Sequence, residues 1–228
     1  MGIRDRLMWI YGKLHEAMGP CDWWPGDSPF EVMTGAILTQ NTAWRNVEKA
    51  IANLKHLGLM TPEAVLGADR AVLEEALRPS GYFTVKARRL SALCSFVTER
   101  GVGGLDPEVL RLPMPELREG LLAVNGVGPE TADSIVLYAA GQPSFVVDAY
   151  TRRILSRHTL IAGDEPYEDI RTLFMGHLDP DVALFNEYHA LIVRAGHSRC
   201  RPRNPMCGDC PLGSDPWLLE NLKDLSQR

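Results

Sequence analysis

Two glycines separated by one residue, Gly126 and Gly128, lie between two segments with helical periodicity. A helix connection of about five residues must reverse direction tightly, and glycine permits the positive φ or close backbone approach that this requires. Pro129 follows where the next helix begins, so its missing N–H has no cost there. Backbone N–H groups then gather at a helix start and can bind an anion without a cationic side chain. A tight turn between packed helices, with no ligand, is the alternative interpretation.

Three cysteines near the carboxyl end are spaced like metal ligands. Cys200, Cys207 and Cys210 form a C-x6-C-x2-C pattern in a chain with five cysteines. In a reducing compartment such thiols favour metal binding over disulfides. For zinc, three sulfurs alone leave the tetrahedral site open.

The elements that position these groups have helical periodicity, and strand-like alternation is hard to find. Ser28-Pro29-Phe30-Glu31 has the form of a capping box with proline at the first helical position, which predicts a helix to about Gln40. Thr61-Pro62 predicts a second helix start. A third helix has one apolar face, formed by Leu90, Leu93, Phe96 and Val97. Later helices are predicted from Pro115 through Leu122, from Pro129 to Ala140, and at about 149–158, 167–177 and 181–195. The sequence thus predicts an all-α protein of roughly ten helices.

Composition and charge limit the classes of function. The 228 residues are 45% hydrophobic, which suits one large core or two small ones. No run of about eighteen apolar residues occurs, so we expect a cytoplasmic protein without membrane association. We also expect a monomer, which in a bacterium would be associated with the nucleoid. The net charge of −5 would repel nucleic acid, so any nucleic-acid surface must be local. The arginine clusters are candidate phosphate contacts or solvated helix faces: Arg88-Arg89, Arg152-Arg153-Arg157 and Arg199-Arg201-Arg203.

The stretch LLAVNGVGPETADSIVLYAAGQPSFVVDAYTRRI closely resembles the helix-hairpin-helix, Gly/Pro-rich loop and aspartate signature of the base-excision DNA glycosylases related to endonuclease III. The resemblance extends over most of the chain, and it implies an enzyme that acts on damaged bases in double-stranded DNA. It also implies that the hairpin grips one phosphate through backbone amides, often with a bound monovalent cation. The expected DNA contacts in this region are Gly126, Gly128, Thr131, Arg152 and Arg153.

The resemblance assigns the essential carboxylate, which follows the Gly/Pro-rich loop, to Asp148. In this sequence Asp148 comes after the apolar run Phe145-Val146-Val147 and before the helix predicted from Ala149. We therefore expect its carboxylate to cap that helix and to be held and partly desolvated. A plain N-cap aspartate is the alternative, which explains the position but not the accompanying hairpin.

Glu130 stands where bifunctional members of the family carry a lysine. That lysine attacks the sugar C1′ and forms a Schiff base that leads to strand cleavage, which a carboxylate cannot do. No lysine lies between residues 87 and 222. The resemblance therefore implies a monofunctional glycosylase, in which Asp148 stabilises an oxocarbenium-like sugar and steers or deprotonates a water. Glu130 is either an accessory acid or an acid favoured by the helix dipole.

The segment CDWWPGDSPFEVMTGAILTQNTAWRNVEKAI is similar to the N-terminal helices of the type III 3-methyladenine DNA glycosylase branch. There, a tryptophan of the WWP element and an aromatic residue after QNT sandwich the extruded base. These positions are Trp24 and Trp44 here, with Trp23 and Pro25 nearby. Core packing is the alternative for each tryptophan.

Two further residues match family positions that enter the duplex. Gln40 matches the glutamine near the vacated position, and Tyr82 matches the bulky residue that wedges the opposite strand. A buried tyrosine at a helix start is the alternative for Tyr82.

Without an amine nucleophile, the enzyme needs a substrate whose base leaves easily, which favours an alkylated purine such as 3-methyladenine. A purine methylated on a ring nitrogen is cationic, and an indole face attracts it by roughly 0.5–2 kcal/mol. Mismatched uracil or thymine and oxidised pyrimidines remain open. Two other functions also remain open: a bifunctional endonuclease III-like glycosylase/AP lyase on oxidised pyrimidines, and a non-catalytic helix-hairpin-helix DNA-binding protein.

The cysteine spacing matches the first three ligands of the family's [4Fe–4S] loop. The fourth would fall at position 216, which is Pro216. Three interpretations follow: a cluster with a non-cysteine fourth ligand, for which Asp215 is the nearest donor, a cluster completed by a distant group, or a lost cluster. The remaining thiols are Cys21 and Cys94.

The resemblance also implies the architecture, two helical lobes with the substrate cleft between them. The central lobe is expected at 28–143, with the helix-hairpin-helix at about 116–140. Residues 1–27 and 144–228 form the second lobe, with the cysteine loop at 200–210.

Overall fold

The computed structural model describes residues 2–21, 23, 26–101 and 103–218. The protein is 65% helical, with no strand in the part described, so the predicted all-α class is confirmed. Among those residues, no helix is both long and apolar enough to cross a membrane. Eleven α-helices are found there: α1 (Ile3–Met18), α2 (Pro29–Leu38), α3 (Trp44–His56), α4 (Pro62–Gly67), α5 (Arg70–Leu77), α6 (Phe83–Glu99), α7 (Met114–Leu122), α8 (Pro129–Ser134), α9 (Ala149–Arg157), α10 (Tyr167–Met175) and α11 (Val182–Ser198).

The chain divides into two compact units. One unit comprises Met1–Trp23 and Phe145–Arg228, and contains α1 and α9 to α11. The other comprises Trp24–Ser144 and contains α2 to α8. They are called the terminal unit and the central unit here.

The central unit has a continuous apolar core. The predicted apolar face of α6 is confirmed, because Leu90, Leu93 and Val97 are fully buried and Phe96 is 6% exposed. At the start of α2, Ser28 Oγ accepts from Glu31 N at 3.2 Å, as the capping box predicts. The reciprocal bond differs: the Glu31 carboxylate accepts from Asp27 N at 3.3 Å and pairs with Lys55.

The second helix of the hairpin is not a continuous α-helix to Ala140. It is α-helical through Ser134 and continues as a π-helical turn at Ile135–Ala139, in which Ala140 N donates to Ile135 O at 3.0 Å. Gly141, at φ +61°, follows this turn. Ile135 and Val136 are buried, as expected, whereas Ala139 and Ala140 are only half-buried. The wider turn therefore replaces the regular helical spacing that the sequence predicts.

Aromatic rings fill the core of the terminal unit. Phe145 stacks on Phe174 with ring centroids 3.6 Å apart, and Tyr188 lies edge-on to both. The Tyr188 hydroxyl donates to Leu7 O at 2.7 Å, which joins α11 to α1. Phe145 begins the apolar run that precedes α9, so the packing of these rings fixes the start of that helix.

Candidate active site

Asp148 is the N-cap residue of α9, as predicted. Its Oδ1 accepts from Thr151 N at 2.7 Å and from Thr151 Oγ1 at 2.9 Å. The preceding residues Val146 and Val147 are buried, and Val147 N donates to the Tyr167 hydroxyl at 3.3 Å. The Asp148 side chain is only 11% exposed. The carboxylate is therefore held by one oxygen in a largely dry setting.

His189, on α11, lies beside the second oxygen of this carboxylate. Its Nε2 is 3.8 Å from Asp148 Oδ2, which is beyond hydrogen-bond range. Burial lowers the pKa of His189, and the nearby charge of Asp148 only partly opposes this. The imidazole is therefore neutral at neutral pH and does not cancel the charge of the carboxylate. Among the described residues, the hydrogen bonds of this carboxylate thus all fall on Oδ1.

The hairpin between α7 and α8 uses its two glycines differently. Gly126 has φ +89°, and a Cβ there would lie 2.3 Å from Cγ of Arg89. Gly128 is instead the N-cap of α8 in an extended conformation, and a Cβ added to it would meet open space. The expectation of positive φ or close approach within the protein is therefore correct for Gly126 and wrong for Gly128. Pro129 begins α8, as predicted.

Gln40 braces this hairpin from the end of α2. Its Nε2 donates to Gly126 O and to Thr131 Oγ1, each at 3.0 Å. Its Oε1 accepts from Arg89, which packs against Gly126. Thr131 is 6% exposed, so little of its side chain is accessible from outside the protein. Entry of Gln40 into a duplex would require exchange of three protein hydrogen bonds.

A buried ion pair joins the two helices of the hairpin. Arg118 of α7 donates to both carboxylate oxygens of Asp133 on α8, at 2.8 and 3.0 Å. Ser144 also donates to Asp133, which is fully buried. None of these three residues was predicted from the sequence. The one signal in the sequence was the acidic residue Asp133 beside the apolar Ala132, which is buried in the structure.

Glu130 lies in the first turn of α8 and is exposed. Its carbonyl accepts from Ser134 Oγ at 2.7 Å. An acid at this place interacts favourably with the positive end of the helix dipole. The structure thus places Glu130 where the helix-start interpretation requires.

Tyr82 projects from the turn before α6. Its side chain is 72% exposed, and its backbone is left-handed at φ +47°. Gly81 before it also has positive φ, at +69°. The alternative of a buried tyrosine at a helix start is therefore wrong, although the residue does precede the helix.

The four candidate pocket residues are placed differently. Trp24 and Pro25 lie outside the described residues. Trp44 begins α3, is half-buried and packs against the core of the central unit. Trp23 is half-buried in the terminal unit, and its buried Nε1 has no hydrogen-bond partner among the described residues.

Arg152 and Arg153, which are expected to contact DNA phosphates, donate to main-chain carbonyls of the terminal unit. Arg152 donates to Gly163 O and Glu165 O. Arg153 donates to Cys200 O at 2.7 Å and Gly196 O at 3.0 Å, and stacks on Tyr150. These bonds use Nη1 of Arg152 and Nε and Nη2 of Arg153, and contact of either side chain with a DNA phosphate stays a prediction. Exposed arginines from the other two clusters are Arg88, Arg201 and Arg203.

Within the described residues, no fourth ligand joins the three cysteines of the loop. The candidate fourth ligand, Asp215, is buried and accepts from Trp217 N at 2.9 Å, and its other oxygen is 2.6 Å from His158 Nδ1. Arg157 Nη1 lies 3.2 Å from Cys200 Sγ. Burial, with Cys200 and Cys207 nearby, raises the pKa of the Cys210 thiol. In the part of the chain that the structure describes, no three His, Cys, Asp or Glu side chains form a metal-binding group. The other two thiols are elsewhere, Cys94 in the core of the central unit and Cys21 beside Arg194.

Comparison with known sequences identifies a family and relatives. Residues 34–180 match the family described as HhH-GPD superfamily base excision DNA repair protein. A Methanocaldococcus jannaschii protein provisionally described as a DNA repair glycosylase is 43% identical over 205 residues, covering 89% of this chain and 92% of its own. Endonuclease III of Sulfolobus acidocaldarius is 26% identical over 197 residues, covering 86% and 85%.

Solved structures share the fold. An endonuclease III–DNA complex superposes with a TM-score of 0.76 at 22% identity, covering 93% of this chain and 94% of its own. The 3-methyladenine DNA glycosylase of H. pylori, bound to 1,N6-ethenoadenine, gives a TM-score of 0.70 at 25% identity, covering 86% and 97%.

Proposed function

The chain belongs to the HhH-GPD superfamily of base excision DNA repair proteins, and on that premise we propose that it is a monofunctional DNA glycosylase. It hydrolyses the N-glycosidic bond of a damaged base flipped out of double-stranded DNA. The favoured substrate is an alkylated purine such as 3-methyladenine. Its relatives and structural neighbours include endonuclease III enzymes and a 3-methyladenine glycosylase.

The observation that carries this proposal is that only one carboxylate oxygen of Asp148 is hydrogen-bonded among the described residues. Oδ1 is fixed by two donors of Thr151, while Oδ2 faces a neutral His189 at 3.8 Å. A fixed negative charge in a largely dry setting stabilises the positive charge that develops on the sugar as the base leaves. The same oxygen can orient or deprotonate the attacking water. Asp148 is therefore the proposed catalytic residue.

The signature region contains no lysine, which supports hydrolysis without a Schiff base. Glu130 occupies the first turn of α8, and the next lysine toward the amino end, Lys86, is 1% exposed. A buried amine cannot reach a sugar C1′ in DNA. Borohydride trapping tests this directly, since only a Schiff base yields a covalent protein–DNA adduct. An adduct with the wild-type protein would favour the bifunctional alternative.

An alkylated purine suits a protein without an amine nucleophile, because its cationic base is already a good leaving group. Trp44 is half-buried at the start of α3, which leaves part of its indole accessible to a base. The family resemblance assigns the base pocket to Trp44 together with Trp24, Trp23 and Pro25, and this assignment stays a prediction. The test is a panel of duplexes with 3-methyladenine, 1,N6-ethenoadenine, uracil, mismatched thymine and thymine glycol. Release of thymine glycol without release of any alkylated purine would overturn the substrate assignment.

DNA is proposed to contact the hairpin and two turns. The main chain at Gly126, Gly128 and Thr131 would bind one phosphate, with a monovalent cation at the hairpin as the family resemblance implies. Gly128 has open space around its Cα, which suits close approach of a phosphate. Gln40 and Tyr82, on their two turns, would contact the duplex around the vacated position. The protein is proposed to act on DNA in the cytoplasm, as a monomer.

The remaining alternative is a DNA-binding protein without chemistry. It predicts that Asp148 serves only as a helix cap, because its Oδ1 performs that role. Excision by the wild-type protein that disappears in Asp148→Asn, with DNA binding retained, would exclude this alternative.

A further inference from the structure

Lys86 is a fully buried lysine near the start of α6. It is 1% exposed and ranks among the largest fully buried side chains of the described residues. Its Nζ donates to Leu38 O and to Ser80 O, both at 2.7 Å. Its neighbours in the described part of the chain offer no carboxylate within ion-pair distance. A charged group in such a setting is costly unless its hydrogen bonds are well formed.

The two carbonyls end two separate elements. Leu38 is the last residue of α2, and Ser80 is the last residue of the short 3-10 helix Arg78–Ser80. Carbonyls at helix ends lack intrahelical donors, so a side-chain donor can satisfy them. The ammonium of Lys86 is thus shared between two chain ends that lie 42 residues apart in the sequence numbering, from Leu38 to Ser80.

Each carbonyl lies two residues before a residue proposed to contact DNA. Leu38 precedes Gln40, and Ser80 precedes Tyr82. Both turns contain a non-glycine residue with positive φ, Asn41 at +55° and Tyr82 at +47°. Such residues stay in this conformation only when their surroundings hold them there. A single buried donor beneath both turns provides that restraint.

We propose that Lys86 is a positioning residue that fixes the Gln40 turn and the Tyr82 turn relative to each other, so that both can enter a duplex together. This inference rests on the proposed contact of these turns with DNA. It assigns no chemistry to Lys86, which does not reach the sugar. If Lys86 only stabilised the central unit, its loss would weaken binding to every DNA substrate equally. If it positions the two turns, its loss should weaken binding only to DNA that has an opposite strand.

The test uses the full chain and a probe that does not require excision. The probe is a duplex with a tetrahydrofuran abasic site and 2-aminopurine opposite it, whose fluorescence rises when the opposite strand is unstacked. Wild-type protein should raise this fluorescence, and Tyr82→Ala should not. Lys86→Met should weaken the fluorescence rise, or raise the protein concentration at half-saturation by about tenfold or more. Misplacement of a functional group by about 1 Å can cost an enzyme up to 10²-fold in rate, and we expect a loss between these limits here. Affinity for the single strand with the same abasic site should stay within about twofold of wild type.

Two further variants complete the design. Lys49→Met removes an exposed lysine of α3 and is the matched control. Lys86→Arg should recover part of the response, because a guanidinium can donate to both carbonyls. If Lys86→Met does not fold, Lys86→Gln replaces it: its amide nitrogen lies one bond closer to the backbone and cannot reach both carbonyls. A reduced duplex response in the folded variant supports the inference, and an unchanged response overturns it.

Hydrogen exchange gives a second readout. Loss of a shared brace should speed exchange in both peptides, at 39–42 and at 80–82, whereas a purely local cap would affect one. Failure of the inference and failure of the proposed function can be told apart. If wild type raises the fluorescence, Lys86→Met does not, and no base is released from any duplex, the glycosylase proposal fails and the proposal for Lys86 stands. If wild type excises a base but wild type and Lys86→Met give the same fluorescence response, the proposal for Lys86 fails and the glycosylase proposal stands.

Discussion

Asp148 and Thr151 share two hydrogen bonds, both made to the same carboxylate oxygen. Oδ1 accepts from Thr151 N at 2.7 Å and from Thr151 Oγ1 at 2.9 Å. The helix cap and the proposed chemistry are thereby divided between the two oxygens of one side chain. This division makes the structural and catalytic roles of Asp148 separable by mutation.

Asp148→Asn should abolish base release and leave the fold intact. Asparagine caps helices about as well as aspartate, so the free energy of unfolding should change by less than ~1 kcal/mol. The neutral amide cannot stabilise a positive sugar, so single-turnover excision should fall by about 10²-fold or more. Asp181, the N-cap residue of α11, supplies the control Asp181→Asn. If Asp148→Asn loses binding to abasic DNA as well as excision, the residue is structural.

Glu130→Lys should create an amine where the family's lyases have one. Glu130 is exposed in the first turn of α8, so the substitution should fold. We expect the variant to give a borohydride-trapped adduct with abasic DNA, and wild type and Glu130→Gln to give none. A trapped adduct in all three proteins would point to another amine, and would contradict the monofunctional assignment.

The two hairpin glycines should respond differently to alanine. Gly126→Ala forces a Cβ to within 2.3 Å of Arg89 at positive φ, which should cost about 1–3 kcal/mol of unfolding free energy. Gly128→Ala meets open space in an extended backbone and should leave stability unchanged. It should nevertheless weaken DNA binding, because the added methyl stands between the hairpin and a phosphate. Urea unfolding measures the effect on stability, and fluorescence anisotropy with undamaged duplex measures the effect on DNA binding. Equal losses of stability in the two variants would refute the different roles assigned to the two glycines.

Lys86 should make the stability of the protein depend on pH above neutrality. Burial, with repulsion from Arg89, lowers its pKa from 10.5 to about 8. Between these values the unfolded chain binds more protons than the folded chain, so the contribution of Lys86 to the unfolding free energy rises with pH. From about pH 7.5 to about pH 9.5, wild type should gain about 1–2 kcal/mol relative to Lys86→Met in urea unfolding. Lys49→Met should show no such difference from wild type, and a parallel pH dependence of wild type and Lys86→Met would contradict the shift.

The cysteine loop should not be needed for excision. Cys207 is exposed, and the proposed chemistry at Asp148 requires no thiol. Cys207→Ser should therefore keep excision within about twofold of wild type, as expected for a surface substitution. Absorbance near 400 nm in freshly purified wild-type protein tests for an iron–sulfur cluster, and Cys207→Ser should lose any such band. A large loss of excision together with the band would show that a cluster supports the active fold.

The features that the sequence predicts well are local along the chain. Asp148 follows an apolar run and precedes a helix, and Pro129 follows the hairpin glycines, so short-range rules suffice for the cap and the helix start. The apolar face of α6 also follows from spacing alone. Lys86 lies on that same face, four residues before Leu90, and a lysine in such a position was a signal of burial.

The features that the sequence does not predict depend on partners far away in the chain. Gln40 bonds Thr131 across 91 positions, and no motif marks the pair. Arg152 and Arg153 bind main-chain carbonyls, which every residue has, so the residue type could not reveal the partner. For the same reason, a count of arginines overestimates the cationic surface available to DNA.

Arg153 and Arg157 both turn their guanidinium groups toward carbonyls of the segment around Cys200. These bonds occupy guanidinium donors that could otherwise bind a phosphate, in a molecule that carries a net charge of −5. Such a protein attracts the polyanion only at short range, so encounters with intact duplex should be brief. The lifetime of the complex would then depend on the fit of an extruded damaged base, and not on contacts with the DNA backbone.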